Sequence, residues 1–91
     1  EYNKYILLGY SEPSLVYRLG SNTKIAGNSK EAINLVLNNN IKSVIIEASY
    51  IAEFKELSIK TDIVVKSISK PIEGFNYSKG QNVEIFIIHL N

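Results

Sequence analysis

Apolar residues in this chain fall into short blocks whose spacing alternates between two kinds. Residues 5–8, Tyr-Ile-Leu-Leu, form a continuous apolar run closed by Gly9, and Ser43-Val44-Ile45-Ile46-Glu47 is a second such run rich in β-branched side chains. Runs of this length without polar alternation predict strands buried on both faces. Between them the period lengthens. Residues 11–20 read as a short amphipathic helix: Ser11 as cap, an acid and a proline in the first turn, Leu15, Val16 and Leu19 on one side, Gly20 as terminator. Residues 24–27 predict a weak strand near a sheet edge.

Asn28-Ser29-Lys30-Glu31 places a capping side chain three residues before a glutamate that reaches back, so a helix is predicted over residues 29–38. Ala32, Ile33, Val36 and Leu37 supply its inward stripe, and Asn38-Asn39-Asn40 stops it, because Asn tolerates the left-handed conformation at a helix end. A third helix is expected over residues 48–57, with Ile51, Phe54 and Leu57 inward and Glu53, Lys55 and Glu56 outward. Strands are expected over 62–67 and 83–90. Residues 70–82 carry Pro71, Gly74 and Gly80 with no periodicity. This stretch reads as a loop, long against the ~4–6 residues usual for such a connection, hence functional, mobile or concealing a further element.

Alternation of strand and helix is the pattern of a parallel sheet with right-handed crossovers. The expected fold is a single small α/β domain over residues 1–91, a flavodoxin-like, doubly wound and mainly parallel sheet of four to five strands with helices on both faces. Ligands of such sheets sit at the carboxyl ends of the strands, which directs attention to the turns after Gly9, Ala26, Glu47 and Ser67.

Composition then narrows the chemistry. The 91 residues carry ten basic and nine acidic side chains for a net charge of +1, without a run of one sign, so neither a nucleic acid nor an acidic lipid surface is indicated. There is no Cys, which removes disulfides, thiolate metal sites and cysteine nucleophiles, and His89 is the single histidine. No apolar stretch approaches bilayer length and no leader pattern opens the chain, so the domain is expected to be soluble and intracellular. Methionine is absent and the chain starts at Glu1, as expected of a trimmed or processed product.

Candidate sites are few. Gly9-Tyr10-Ser11-Glu12-Pro13 lacks the several glycines with which a phosphate cradle lets backbone N–H groups approach its ligand. A receiver-like domain without its phosphoacceptor Asp is an alternative: Glu47 would stand in the acceptor position, Ser67 for the receiver hydroxyl and Lys70-Pro71 for a lysine–proline pair, with Glu12 the one acid near the first strand. Too few oxygen ligands gather to hold a hard metal. A small-molecule pocket lined by Asn28, Ser49 and Ser67 is a further alternative. His89 has no identifiable Ser, Cys or Asp partner and reads as structural. Tyr2, Tyr5, Tyr10, Tyr17, Tyr50 and Tyr77 are scattered and read as core rims, and Asn76-Tyr77-Ser78 is a chance match to a glycosylation acceptor. No catalytic residue, cofactor site or metal site is expected.

The ordered series Gly9-Tyr10-Ser11-Glu12, then Tyr17-Arg18-Leu19-Gly20-Ser21, resembles the opening of the F-subunit family of the V-type and archaeal A-type rotary ATPases, where Gly-Asp-x-Asp is followed by Phe-Arg-Leu-Ala-Gly. Ser29-Lys30-Glu31-Ala32 and Val44-Ile45-Ile46-Glu47 with Tyr50-Ile51-Ala52 continue it, over residues 5–70. Tyr10 departs from the family Asp, Gly20-Ser21 from Ala-Gly, and 83–90 reads as a strand where the family ends in a helix. The resemblance implies a non-catalytic component of the ATPase, cytoplasmic and peripheral to a membrane complex, that couples ATP hydrolysis or synthesis to proton or sodium transport. It would dock on a long helical protein of the central stalk, with Tyr17 and Arg18 the candidate contacts, since Arg and aromatic residues are enriched at interfaces.

Overall fold

The computed structural model of the chain describes residues 5–10, 23–76 and 80–91. Its elements are β1 (Tyr5–Leu8), β2 (Thr23–Ala26), α1 (Ser29–Asn39), β3 (Ser43–Glu47), a 3₁₀ turn (Ala48–Tyr50), α2 (Ile51–Lys60), β4 (Val65–Ile68), β5 (Ile72–Asn76) and β6 (Gln81–Leu90). The helix expected over 11–20, with Tyr17 and Arg18, lies outside the described residues.

The six strands form one mixed sheet in the order β2-β1-β3-β6-β4, with β5 also paired to β6. β2, β1 and β3 are parallel, whereas β6 runs antiparallel to β3, β4 and β5. This overturns the mainly parallel, doubly wound expectation. The final strand returns through a hairpin instead of a crossover helix, and so enters the sheet in the reverse direction. Among the described residues there are two helices, and both pack on the same face.

The helix-covered face holds the larger core. Ile6, Leu8, Val44, Ile46, Ile88 and Leu90 project from the strands against Ala32, Ile33 and Val36 of α1 and the fully buried Phe54 of α2. Successive strand residues point to opposite faces, so Leu7, Ile45 and Ile85 form a second cluster with Tyr5, Tyr10, Val83 and Ile87 packed round it. β1 and β3 are thus buried on both faces, as their unbroken apolar runs require.

Each helix end is fixed by named contacts. Asn28 Oδ1 accepts the Glu31 amide at 2.8 Å and Glu31 Oε1 accepts the Gly27 amide at 2.7 Å, a capping box displaced by one residue. Asn40 closes α1 in the left-handed conformation at φ 54°. Leu37, expected in the buried stripe, is 55% exposed: Ser29, Ala32, Ile33 and Val36 define the inward line and Leu37 falls a helical step to its side. α2 ends in a Schellman arrangement. The Ile63 amide donates to the Ser58 carbonyl at 2.9 Å and the Asp62 amide to that of Ile59 at 3.3 Å, with Asp62 itself at φ 61°. That use of Asp62 and Ile63 shortens the strand expected over 62–67 and moves it to β4.

The stretch 70–82 is the main omission of the sequence pattern. Both β3 and β5 pair with Ile85, and both β3 and β4 pair with His89, so β4 and β5 lie in line along the same edge of β6. They are one interrupted strand. The register shifts by one residue between Val65 and Ser67, and four steps from Ile68 to Ile72 match three from Ile88 to Ile85, so a second extra residue sits in the break containing Pro71. Ser69 closes that break by donating its amide to the Ile87 carbonyl and accepting the Ile87 amide on its own Oγ, each at 2.9 Å. Beyond the end of β3, β5 and the first residues of β6 continue as a two-stranded arm, about 13 Å long at the usual strand rise.

On this arm Glu73 and Glu84 stand directly opposite one another and both are exposed. Like charges in that position are unfavourable. Glu84→Lys is expected to raise the unfolding free energy by about 0.5–1 kcal/mol, read from urea midpoints, with the gain shrinking in high salt. Ser69→Ala leaves the Ile87 amide without its acceptor, so a loss of about 1–3 kcal/mol and faster hydrogen exchange at that amide are expected.

Candidate functional site

The carboxyl ends of β1 and β3 are where an α/β sheet would hold a ligand. Gly9 leaves β1 at φ +81°, and a Cβ there would overlap the ring of Tyr50, which the 3₁₀ turn after β3 lays across it. Glu47 Cβ lies 3.2 Å from the same point. Ser49 Oγ donates to Glu47 Oε1, holding the carboxylate against the turn that carries Tyr50. Tyr10 fills the next space towards the arm, its hydroxyl 3.1 Å from where a Cβ on Gly74 would stand. The crevice is therefore packed with the protein's own aromatic rings. The N-terminus of α1 beside it, an anion site in principle, already holds the Glu31 carboxylate.

The residues singled out in the sequence separate into two ends of the sheet. Asn28 and Ser49 lie at the carboxyl end, each engaged in a local bond. Ser67 pairs with His89, and His89 with Ser43, the first residue of β3, whereas Glu47 is the last. Ser67 thus lies four residues, about 13 Å, from Glu47 along the strand direction and two strands across the sheet, roughly 16 Å in all. It can neither serve as the hydroxyl of a receiver-like centre nor complete a pocket with Asn28 and Ser49. Lys70 and Pro71 lie in the break between β4 and β5, and Glu12 lies outside the described residues. No group of three or more His, Asp or Glu side chains able to hold a metal occurs among the described residues.

A feature not visible in the sequence is a polar row across the sheet. Thr23, Tyr5, Ser43, His89 and Ser67 are consecutive partners from β2 to β4 and share one face. Ser43 Oγ and His89 Nδ1 approach to 3.4 Å, the outer limit of a hydrogen bond. Among the described residues no carboxylate is recorded on the imidazole to complete a nucleophile–base arrangement. His89 belongs to a row of side chains that crosses the sheet.

No family model, curated protein or solved structure matches this chain. Among the described residues no helix is long and apolar enough to cross a membrane.

Concave surface is found at the opposite end of the sheet. Two adjoining open grooves of about 480 and 390 Å³ share Asp62, Ile63 and Val64. Val64 and the nearby Leu37 and Ile59 are 57%, 55% and 78% exposed, an unusual density of accessible aliphatic side chains. Lys55 borders one groove and Lys42 the other.

Charge follows the same axis. Among the described residues Glu31, Glu47, Glu53, Glu73 and Glu84 lie at the end bearing the arm, with Lys30 the one cation beside them. Lys42, Lys55, Lys60 and Lys66 lie at the grooved end with Glu56 and Asp62, while Lys24 and Lys70 sit between. Among the described residues the charges thus separate into an acidic and a basic end.

Gly9→Ala is expected to cost about 2–4 kcal/mol, the sum of a left-handed backbone carrying a Cβ and overpacking against Tyr50. Measured in a Tyr50→Ala background by denaturant unfolding, the cost should fall to about 1–2 kcal/mol, the backbone share alone. An equal cost in both backgrounds would contradict the packed crevice.

Proposed function

We propose that this chain is a non-catalytic docking domain that works by being held against another protein. The observation that carries this reading is the packed crevice: Tyr50 on Gly9 occupies the ligand position of the parallel strands, and Glu31 occupies the neighbouring helix N-terminus. Leu37, Ile59 and Val64, each more than half exposed, line open grooves at the other end of the sheet, surfaces of the kind protein partners cover.

The resemblance to the F-subunit family of the V/A-type rotary ATPases nominates a partner, a long helical protein of the central stalk, and with it a role in coupling ATP turnover to ion transport. Ser29-Lys30-Glu31-Ala32 opening α1 and Val44-Ile45-Ile46-Glu47 within β3 support that nomination. The reversed direction of β6 overturns the mainly parallel sheet that the alternation of strands and helices predicted, and with it one support of the family reading. Tyr17 and Arg18 remain the proposed contacts with the stalk.

Isothermal titration of the whole chain against purified central-stalk proteins tests the reading. Binding is expected, with Tyr17→Ala and Arg18→Ala each weakening it about tenfold or more. Thermal melts with ATP or Mg²⁺ are expected to coincide with those of the free protein. A ligand-dependent rise in melting temperature would replace docking by a small-molecule function, whereas silence towards every stalk protein would remove that partner.

A further inference from the structure

We infer that two copies of this domain pair through α2, with the helices antiparallel across a two-fold axis at Ile59 and each Ile59 side chain seated in the groove of the other copy. A second copy of this chain is thereby the occupant of one of the grooves, a choice that rests on the reading of those grooves as surface covered by protein. The contact uses neither Tyr17 nor Arg18.

Its apolar centre is Ile59, which is 78% exposed. Beside it opens the groove of about 480 Å³, lined in part by Ile63, Val64 and Val65. An exposed aliphatic side chain next to an aliphatic concavity is a knob and a hole on one patch. Under a two-fold axis the knob of each copy meets the hole of the other, which is the condition for a self-complementary contact.

Charge selects both the partner and the direction. Lys55 lies one turn before Ile59 on the same side of α2, and Asp62 lies three residues after it, where the chain leaves the helix. Both line the same groove, and among the described residues neither has an ion-pair partner. Antiparallel pairing about Ile59 sets Lys55 of each copy opposite Asp62 of the other. Glu56 and Lys60, next round the helix, are exchanged by the same axis. The four charges between residues 55 and 62, two of each sign, all meet their opposites, whereas a parallel pairing would set lysine against lysine. A partner of one charge sign would leave half of these groups opposed. The helix offers a face only about 15 Å long, so the dimer is weak, and its exposed ion pairs make it sensitive to salt.

Sedimentation velocity of the whole chain at rising concentration, in low and high salt, tests the pairing. Association that stops at a dimer and weakens with salt is expected. Ile59→Asp should lower the association constant about tenfold or more, and Lys55→Glu, which sets two acids opposite one another, about tenfold. Both side chains are exposed, so urea midpoints should stay near that of the wild type. The chain has no cysteine, so Ile59→Cys introduces a single thiol beside the axis. Mild oxidation is expected to link it to its own copy, while Lys24→Cys, on the edge strand β2, stays monomeric under the same conditions. A wild-type chain that remains monomeric throughout, dimers indifferent to Ile59→Asp, or equal cross-linking at the two positions would overturn the inference. A monomer whose binding to a stalk protein is lost in Ile59→Asp would overturn it too, giving the groove to that protein. Self-association is measured with no other protein present, so its failure leaves the titration against stalk proteins to be decided separately.

Discussion

The antiparallel placement of β6 between β3 and the β4–β5 edge is the constraint on which the remainder of this structure depends. Ile88 of β6 is fully buried beside Val44 of β3, and Ile85 and His89 each have partners on both sides. A strand entering this position in the parallel direction would need a crossover helix before it. Entering in reverse, it needs only a hairpin, and the residues that would have made a helix become β5. Two register shifts let the outer strand follow the twist of β6, and Ser69 keeps the ladder closed where Pro71 offers no donor.

That reversal also decides the fate of the usual ligand position. The carboxyl ends of β1 and β3 face the start of the arm, and Tyr10 and Tyr50 occupy the space between, Tyr50 by resting on the bare backbone of Gly9. An aromatic ring packed on a glycine at positive φ is a close backbone approach that tolerates neither a larger residue nor an inserted phosphate. The carboxylate of Glu31 satisfies the nearby Gly27 amide, so the helix N-terminus offers its field to a side chain already in place. This use of space among the described residues is what supports the docking proposal.

Much of the fold was legible where local chemistry and tertiary packing agree. The unbroken apolar runs at β1 and β3 announced burial on both faces, and Asn28 with Glu31 located the start of α1 within a residue. Strand direction was not legible. An apolar run such as Ile85 to Ile88 reads the same whether its neighbours are parallel or antiparallel, and the choice lies in the length of the connection before it. That connection was hidden because β5 is short and contains Gly74, a residue of low strand propensity that here makes room for Tyr10 and Ile85. Asp62-Ile63-Val64 misled in the other direction: its branched side chains favour a strand, but Asp62 accepts the left-handed conformation that closes α2. Of the candidate site residues, Ser67 failed because residues 62–64 close α2 and the strand begins only at Val65, which leaves Ser67 level with the first residue of β3.

The separation of charge has a local origin that explains why it accompanies this topology. Both helices run opposite to the parallel strands, so their N-termini meet at the carboxyl end of the sheet and their C-termini at the other. Glu31 and Glu53 occupy the first turns of α1 and α2, where acids interact favourably with the helix dipole, and Lys60 occupies the last turn of α2 with Lys42 just beyond α1. Glu31, Glu53 and Lys60 each stabilise their own helix, whereas the Lys42 ammonium donates to the Asn91 carbonyl. Because the hairpin carries Glu73 and Glu84 past the same end, helix stability and arm placement add into one polarity along the molecule. Among the described residues a charge polarity therefore arises in part from ordinary capping preferences, and the opposed glutamates of the arm are the part of it that capping does not account for.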